Sequence, residues 1–361
     1  MRKLFICLLF LQIFYLSAGA VSAKSAVVID ADTGAVLFAQ NENEVLSMAS
    51  TTKIMTALIA IENGNLEREY SVKKEYTLVE GSSMYLKENE KISILDTLYG
   101  LMLMSGNDAA LAIAGECGGF DAFVDKMNNK AIELGLENTH FENPNGLDAE
   151  THHTTALELA KLTAYAMQNP TFAQIVSTET YTSGTRTMTN HNKLLKMYEN
   201  CIGVKTGYTK KSGRCLVSAA EQNGRTIIAV TLNDPDDWND HISMLNNAFE
   251  LYKPTVIQKS GNIIGEVNCQ GGTENNIKLS GSSDITLWLT DEEKNNLSFT
   301  ISGRPFVYAP AHVGQIYGTI NYTLNDKVLA TDDLVFSSKA DMQQPSLSLI
   351  KKIIQKFLSI F

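Results

Sequence analysis

Ser50 and Lys53 stand three residues apart at the head of the apolar run 54-IMTALIAIE-62. That spacing sets a hydroxyl and an amine on one face of a helix. Backbone N–H groups at a helix start favour a developing alkoxide, and burial lowers an ammonium pKa until a neutral amine can take the serine proton. The chemistry on offer is nucleophilic attack through an acyl-enzyme; the bland alternative is a serine that merely caps a helix. Ser-x-x-Lys recurs at Ser71 with Lys74 and at Ser348 with Lys351, so its setting must separate the three. Ser71 lies in a charged loop and Ser348 in a terminal amphipathic stretch. Only Ser50 precedes a strongly apolar helix.

Two further groups fit the same chemistry. Residues 101–115 (LMLMSGNDAALAIAG) place Ser105 and Asn107 in a break between apolar helical segments, where a hydroxyl and a carboxamide can face a cleft. In 202-IGVKTGYT-209, Lys205, Thr206 and Gly207 end a strand-like run; Gly207 lets a substrate backbone approach, while Lys205 and Thr206 offer a cation and a hydroxyl to a carboxylate. A second Ser-Gly-Asn at 260–262, and Lys-Ser-Gly at 211–213 and 259–261, are competitors in type only.

The elements that must position these groups are readable. AVVID (26–30) and AVLFA (35–39), joined by the turn-type residues 31–34, predict an opening β-hairpin. Helical patterns run over about 51–62, 93–104, 108–116, 121–134 and 155–167, strands return near 201–206, 214–220 and 226–232, and a helix near 238–252 follows. Early and late strands must therefore pair around a helical insertion, an α/β arrangement. Beyond Pro254 the chain turns to short β-type runs such as 285-ITLWLT-290, 297-LSFTI-301 and 316-IYGTINYTL-324, which predict a separate small all-β domain.

Taken in order, Ser50-x-x-Lys53, Ser105-x-Asn107 and Lys205-Thr206-Gly207, at intervals of 55 and 100 residues, resemble the three active-site motifs of penicillin-binding proteins and serine β-lactamases. The flanking 82-SSMYL-86, 141-FENPNGLDAETHHTTALELA-160 and 189-TNHNKLL-195 are similar to the low-molecular-mass D-alanyl-D-alanine carboxypeptidases. The resemblance implies a β-lactamase/transpeptidase-like domain, an antiparallel sheet with a helical insertion, followed by a small all-β domain and a C-terminal amphipathic helix. It implies Ser50 as nucleophile on the carbonyl between two terminal D-alanines of a peptidoglycan stem peptide, and Lys53 as general base. It also implies Ser105 as proton relay, Asn107 holding the substrate amide and Lys53, and Lys205 with Thr206 on the terminal carboxylate. Gly207 would leave room for the substrate, and the N–H groups of Ser50 and Tyr208 would form the oxyanion hole. β-Lactam antibiotics should acylate the same serine.

One departure bears on carboxylate recognition. Some relatives carry an arginine after the strand pair, where this chain has the acidic 233-NDPDDWNDH-241; Arg214 is a substitute in type. Two other readings stay open: a β-lactamase, although 133-ELGLE-137 only approaches its glutamate motif, and a penicillin-binding wall sensor without useful turnover. A Ser-His-Asp hydrolase lacks its Gly-x-Ser-x-Gly elbow. The adjacent His152 and His153 suit a zinc site poorly, and His153 reads as structural.

Composition sets the compartment. Arg2 and Lys3 lead an apolar run ending in the small residues Val21-Ser22-Ala23, an export signal over 1–23. The expected organisation is then a catalytic domain over 24–253, a β-rich domain over 254–338, and a linker with amphipathic helix over 339–361. In that helix Ile350, Ile353, Ile354, Phe357, Leu358 and Phe361 share one face, with Lys351, Lys352, Gln355 and Lys356 on the other. Such a helix can lie on anionic lipid, and it places the protein peripherally on the outer face of the cytoplasmic membrane. Loss of Arg2 and Lys3 takes the formal charge from −10 to −12, which argues against nucleic acid as a partner. Cys7 leaves with the signal; Cys117, Cys201, Cys215 and Cys269 show no zinc spacing and suggest free thiols or one disulfide, with no catalytic cysteine. Neither a cofactor nor a metal is expected.

Overall fold

The structure, a computed structural model, describes residues 21–344 and 347–360. It divides into two compact units, one extending to Glu250 and one beginning at Leu251. Most of the expected export signal, 1–20, lies outside the described residues.

In the first unit β1 (Ser25–Asp30) and β2 (Val36–Gln40) form the opening hairpin, and a 3₁₀ turn, Ala49–Thr52, leads into α1 (Lys53–Glu62). The helical insertion continues with β3 (Glu69–Ser71) paired to β4 (Lys91–Ser93), then α2 (Ile94–Leu103), α3 (Asn107–Glu116), α4 (Phe120–Glu133), α5 (Ala156–Met167) and α6 (Pro170–Ser177). A small hairpin of β5 (Thr180–Ser183) and β6 (Arg186–Thr189) and a short α7 (Leu194–Met197) precede β7 (Cys201–Thr209), β8 (Gly213–Gln222), β9 (Arg225–Leu232) and α8 (Asp237–Glu250). The sheet runs β2-β1-β9-β8-β7, antiparallel throughout. Early and late strands do meet, and β7 is left as an outer edge.

Strand alternation divides the core. Val27, Ile29, Val217, Ala219, Ile228 and Val230 join the helical cluster on one face. Opposite them α8 buries Met244, Leu245 and Ala248, and its His241 bonds Ser218 and Thr231. With both faces covered, β1 is buried along its whole length and reads as a continuous apolar run. Nine of the ten residues of α1 are buried, so it is apolar nearly all round. A helix enclosed in that way cannot drift, which fixes whatever stands at its start.

The second unit contains β10 (Lys253–Gln258), β11 (Ile263–Gln270), β12 (Asn276–Gly281), β13 (Ile285–Leu289), α9 (Asp291–Asn296), β14 (Ser298–Gly303), β15 (Phe306–Tyr308), β16 (Ile316–Leu324), β17 (Lys327–Phe336) and α10 (Leu347–Leu358). Its main sheet is ordered β14-β16-β17-β12-β11-β15, with β10 and β13 paired apart. The short α9 was not expected from the sequence, although a capping box of Thr290 and Glu293 marks its start. No described helix is long and apolar enough to cross a membrane.

Candidate active site

Ser50 sits on the 3₁₀ turn before α1, and Lys53 is the first residue of α1 proper. The N-cap position falls to Thr52, and no side chain caps the helix. The hydroxyl of Ser50 is therefore not spent on capping. Ala49 holds a positive φ of 48°, a conformation costly for a residue with a Cβ and typical of functional turns.

Lys53 is fully buried. Its Nζ lies 2.9 Å from Ser50 Oγ, 2.7 Å from Asn107 Oδ1 and 2.5 Å from the carbonyl of Asn145. Asn107 Nδ2 donates to the Glu80 carbonyl at 2.7 Å, which fixes the carboxamide with Oδ1 toward the lysine. Two of the three partners of Nζ can thus only accept. A neutral amine has two N–H bonds and one lone pair; the N–H bonds satisfy Asn107 and Asn145, and the lone pair faces the Ser50 hydroxyl. Burial, reinforced by the charge of Lys205, drives the Lys53 pKa well below its ordinary value, with Asp108 opposing. An ammonium could donate to all three partners, so the geometry fits either state; burial and the Lys205 charge are what favour the neutral amine, the form that acts as a base.

The 143–148 loop closes this pocket from another side. Asn143 Oδ1 accepts the Gly146 N–H at 2.7 Å, Asn145 Oδ1 accepts that of Leu147, and Thr56 donates to the Pro144 carbonyl at 2.6 Å. Gly146 adopts φ +85° against the carbonyl of Ala49. At the front, β7 passes so near the serine turn that a Cβ on Gly207 would stand 3.1 Å from Ser50 N. Lys205 is buried, its Nζ donates to the Thr206 carbonyl at 2.9 Å, and burial brings its pKa down to about 7. Thr206 is half-buried and Tyr208 is exposed on the same strand.

Ser50, Lys53, Asn107 and Gly207, expected from three separated motifs, are thereby brought into one pocket, with Lys205 and Thr206 on the adjoining strand. Ser105 is buried at φ +57° two residues before α3, and no hydrogen bond among the described residues joins it to Ser50 or Lys53. The guanidinium of Arg214 is committed to Asp237 at 2.6 Å and lies over the Trp238 ring. The competing motifs lie elsewhere: Ser71 is exposed on β3, and residues 259–262 form a turn of the second unit where Lys259 pairs with Asp284. Cys117, Cys201, Cys215 and Cys269 are free thiols.

Two supports escaped the sequence reading. Asp108 is buried, and its carboxylate accepts from Ser83 Oγ and from the backbone N–H groups of Met84 and Leu86, tying the 82–86 loop to α3. His152 Nδ1 accepts the Glu142 N–H at 3.0 Å, which leaves Nε2–H to donate to Thr52 Oγ1 at 2.7 Å; Thr52 in turn donates to the Ala49 carbonyl. The imidazole thus pins the serine turn. Burial, only partly offset by Glu142, lowers its pKa to about 4 and keeps it neutral.

Residues 13–236 match the family described as D-alanyl-D-alanine carboxypeptidase, peptidase S11, and residues 252–341 match the C-terminal domain of penicillin-binding protein 5. D-alanyl-D-alanine carboxypeptidase DacF of Bacillus subtilis (strain 168) is 34% identical over 337 residues, covering 89% of this chain and 86% of that protein. The D-alanyl-D-alanine carboxypeptidase of Streptomyces sp. (strain K15) is 35% identical over 257 residues, covering 64% and 88%. Among solved structures, penicillin binding protein 5 from Haemophilus influenzae superposes with a TM-score of 0.65 at 26% identity, covering 89% of this chain and 98% of that one. The Streptomyces K15 DD-transpeptidase does so with a TM-score of 0.62 at 34% identity, covering 64% and 98%.

Proposed function

This chain belongs to the D-alanyl-D-alanine carboxypeptidase family, and from that premise we propose which of its residues carry the reaction and where it takes place. The activity is that of a serine-type D-Ala-D-Ala carboxypeptidase acting on peptidoglycan stem peptides, and penicillin binds at the same site. The observation that carries the residue assignment is the threefold coordination of Lys53 Nζ by Ser50 Oγ, Asn107 Oδ1 and the Asn145 carbonyl.

Ser50 Oγ gives its proton to the neutral Lys53 amine and attacks the carbonyl between the two terminal D-alanines. Charge developing on the substrate carbonyl oxygen is met by the N–H groups of Ser50 and Tyr208, a contribution of about 3–4 kcal/mol per donor in comparable sites. Lys205 and Thr206 hold the terminal carboxylate at the edge of β7. The proton travels by way of Ser105 to the departing D-alanine amine, and water then splits the Ser50 ester. Asn107 keeps Lys53 aligned throughout, and its remaining Nδ2 hydrogen is directed to the substrate amide. Mass spectrometry after penicillin treatment should map a single adduct to the peptide containing Ser50. D-alanine release from a stem-peptide analogue should vanish in Ser50→Ala. An adduct on another residue, or undiminished release, would refute the assignment, and rapid penicillin turnover without a lasting adduct would restore the β-lactamase reading.

The site of action is read from the chain ends. Ile353, Ile354, Phe357, Leu358 and Ile360 are exposed on and just beyond α10, with Lys351, Lys352 and Lys356 interleaved. Twelve helical residues with that division fit the interface of an anionic bilayer. The protein is placed outside the cytoplasm, held peripherally on the membrane beside the wall. Vesicles rich in anionic lipid should float the full chain but not a chain ending at Gln344; equal flotation of both removes the anchor.

A further inference from the structure

The sequence pattern ends the export signal at Ala23, yet the structure builds residues 21–23 into the first unit. Val21 and Ala23 are 7% and 4% exposed. Gln40 Nε2 donates to the carbonyl of Ala23 at 2.6 Å and reaches that of Val21 at 3.4 Å. Ser22 N donates to Asp240 Oδ2 at 2.6 Å, and Ser22 Oγ stands 2.8 Å from Asp234 Oδ1 and 2.7 Å from Asp240 Oδ2. A chain beginning at Lys24 would forfeit every one of these contacts.

The same contacts leave an electrostatic gap. One hydroxyl hydrogen serves two carboxylates, and Asp234 Oδ2 is buried with no hydrogen-bond partner among the described residues. Arg214, on the neighbouring strand, is spent on Asp237. Burial, with the nearby Asp240 charge, holds the Asp234 carboxyl up at about 6 against hydrogen bonds from Ser22, Thr231 and the Asp236 N–H. An amine on Val21 would stand one residue upstream of Ser22, whose own N–H and hydroxyl already meet these carboxylates. Ala18-Gly19-Ala20 supplies small residues in the A-x-A spacing that a signal peptidase accepts.

We infer that the signal peptidase of the exporting cell cuts between Ala20 and Val21, and that the α-ammonium created on Val21 is the counter-charge of Asp234 and Asp240. Water adds across the Ala20–Val21 amide, its oxygen to the Ala20 carboxylate and a proton to the Val21 amine. The inference rests on the export reading above, and the two fail differently.

The full chain is produced in an exporting bacterium, and its extracytoplasmic product is examined by intact mass and N-terminal sequencing. A start at Val21 is expected. A start at Lys24 overturns the cleavage site while leaving export standing, and an unprocessed chain retained in the cytoplasm overturns both. The counter-charge is tested separately on chains released from a cleavable fusion. At about pH 7 the chain with a free Val21 amine should melt several degrees above its N-acetylated form and above a chain starting at Lys24. The ammonium pKa is raised by its partners, so its contribution is complete below the usual α-amino value of about 8 and fades above it; the gap to the acetylated chain should close by about pH 10. Equal melting of the free and acetylated chains at the lower pH overturns the counter-charge.

Discussion

Two buried lysines stand in one pocket, and the proposed reaction needs them in opposite states. Lys53 must be neutral to accept a proton, whereas Lys205 must be charged to hold a carboxylate. The pocket resolves this by degree: Lys53 is flanked by a second cation and depressed by burial and charge together, while burial alone acts on Lys205 and leaves it near about 7. For the free enzyme, kcat/KM should therefore rise as Lys53 loses its proton and fall above about pH 7 as Lys205 loses its own. Lys205→Arg keeps a guanidinium charged across that range, so the alkaline limb should flatten. The plateau should drop about 10- to 100-fold, because the planar fork does not replace a compact ammonium. The pH–rate profile of D-alanine release checks this, and an unchanged alkaline limb in the variant would assign that limb to another group.

Positioning depends on loops and edges more than on the helices they join. A Cβ on Gly146 would meet the Ala49 carbonyl oxygen at 2.0 Å and Ser50 N at 2.9 Å, in a backbone of φ +85°. Gly34 has a similar φ of +74° with nothing within 4 Å of its would-be Cβ. The pair separates steric displacement of the serine turn from backbone strain. Gly34→Ala should cost about 1 kcal/mol and leave penicillin acylation unchanged, whereas Gly146→Ala should cost more than about 2 kcal/mol and slow acylation at least tenfold. Urea unfolding and stopped-flow acylation measure both effects; equal acylation rates in the two variants would defeat the steric account. This division also explains what could be read from the letters. Apolar runs announce α1, α2 and α3 because each buries most of its surface, and the three motifs gain meaning from their order. The bonds from Lys53 to Asn145 and from Thr52 to His152 cross about 90 to 100 residues of chain, and no local pattern encodes them. The missed α6 is a different case: Asn169 caps it and Pro170 opens it, a start signal written plainly but followed by only eight residues.

Among the described residues, Lys53, His152, Lys205 and His241 are buried in the first unit, and burial lowers the pKa of each. Burial lowers His152 to about 4 and His241 to about 3, so the unfolded chain takes up protons at these sites between about pH 6.5 and those values while the native state does not. Each histidine therefore adds stability at neutral pH that is lost as the pH falls through that window, on the order of 3–5 kcal/mol apiece. The second unit has the opposite kind of group. Burial would raise the Asp332 carboxyl, but hydrogen bonds from Ser282, Ser283 and Gln258 outweigh it and bring the pKa down to about 2. Its contribution persists until the pH drops from the ordinary carboxylate range toward that value. The first unit should accordingly unfold at higher pH than the second, and each contains one tryptophan, Trp238 and Trp288. In Trp288→Phe the remaining fluorescence reports the first unit, and in Trp238→Phe the second. On acid titration the Trp238 signal should change first, by about one pH unit or more, and replacing the buried imidazole in His241→Gln should move that transition downward while leaving the Trp288 transition in place. Coincident transitions for the two tryptophans, or a Trp238 transition that His241→Gln does not shift, would show that proton uptake at these histidines does not govern acid unfolding.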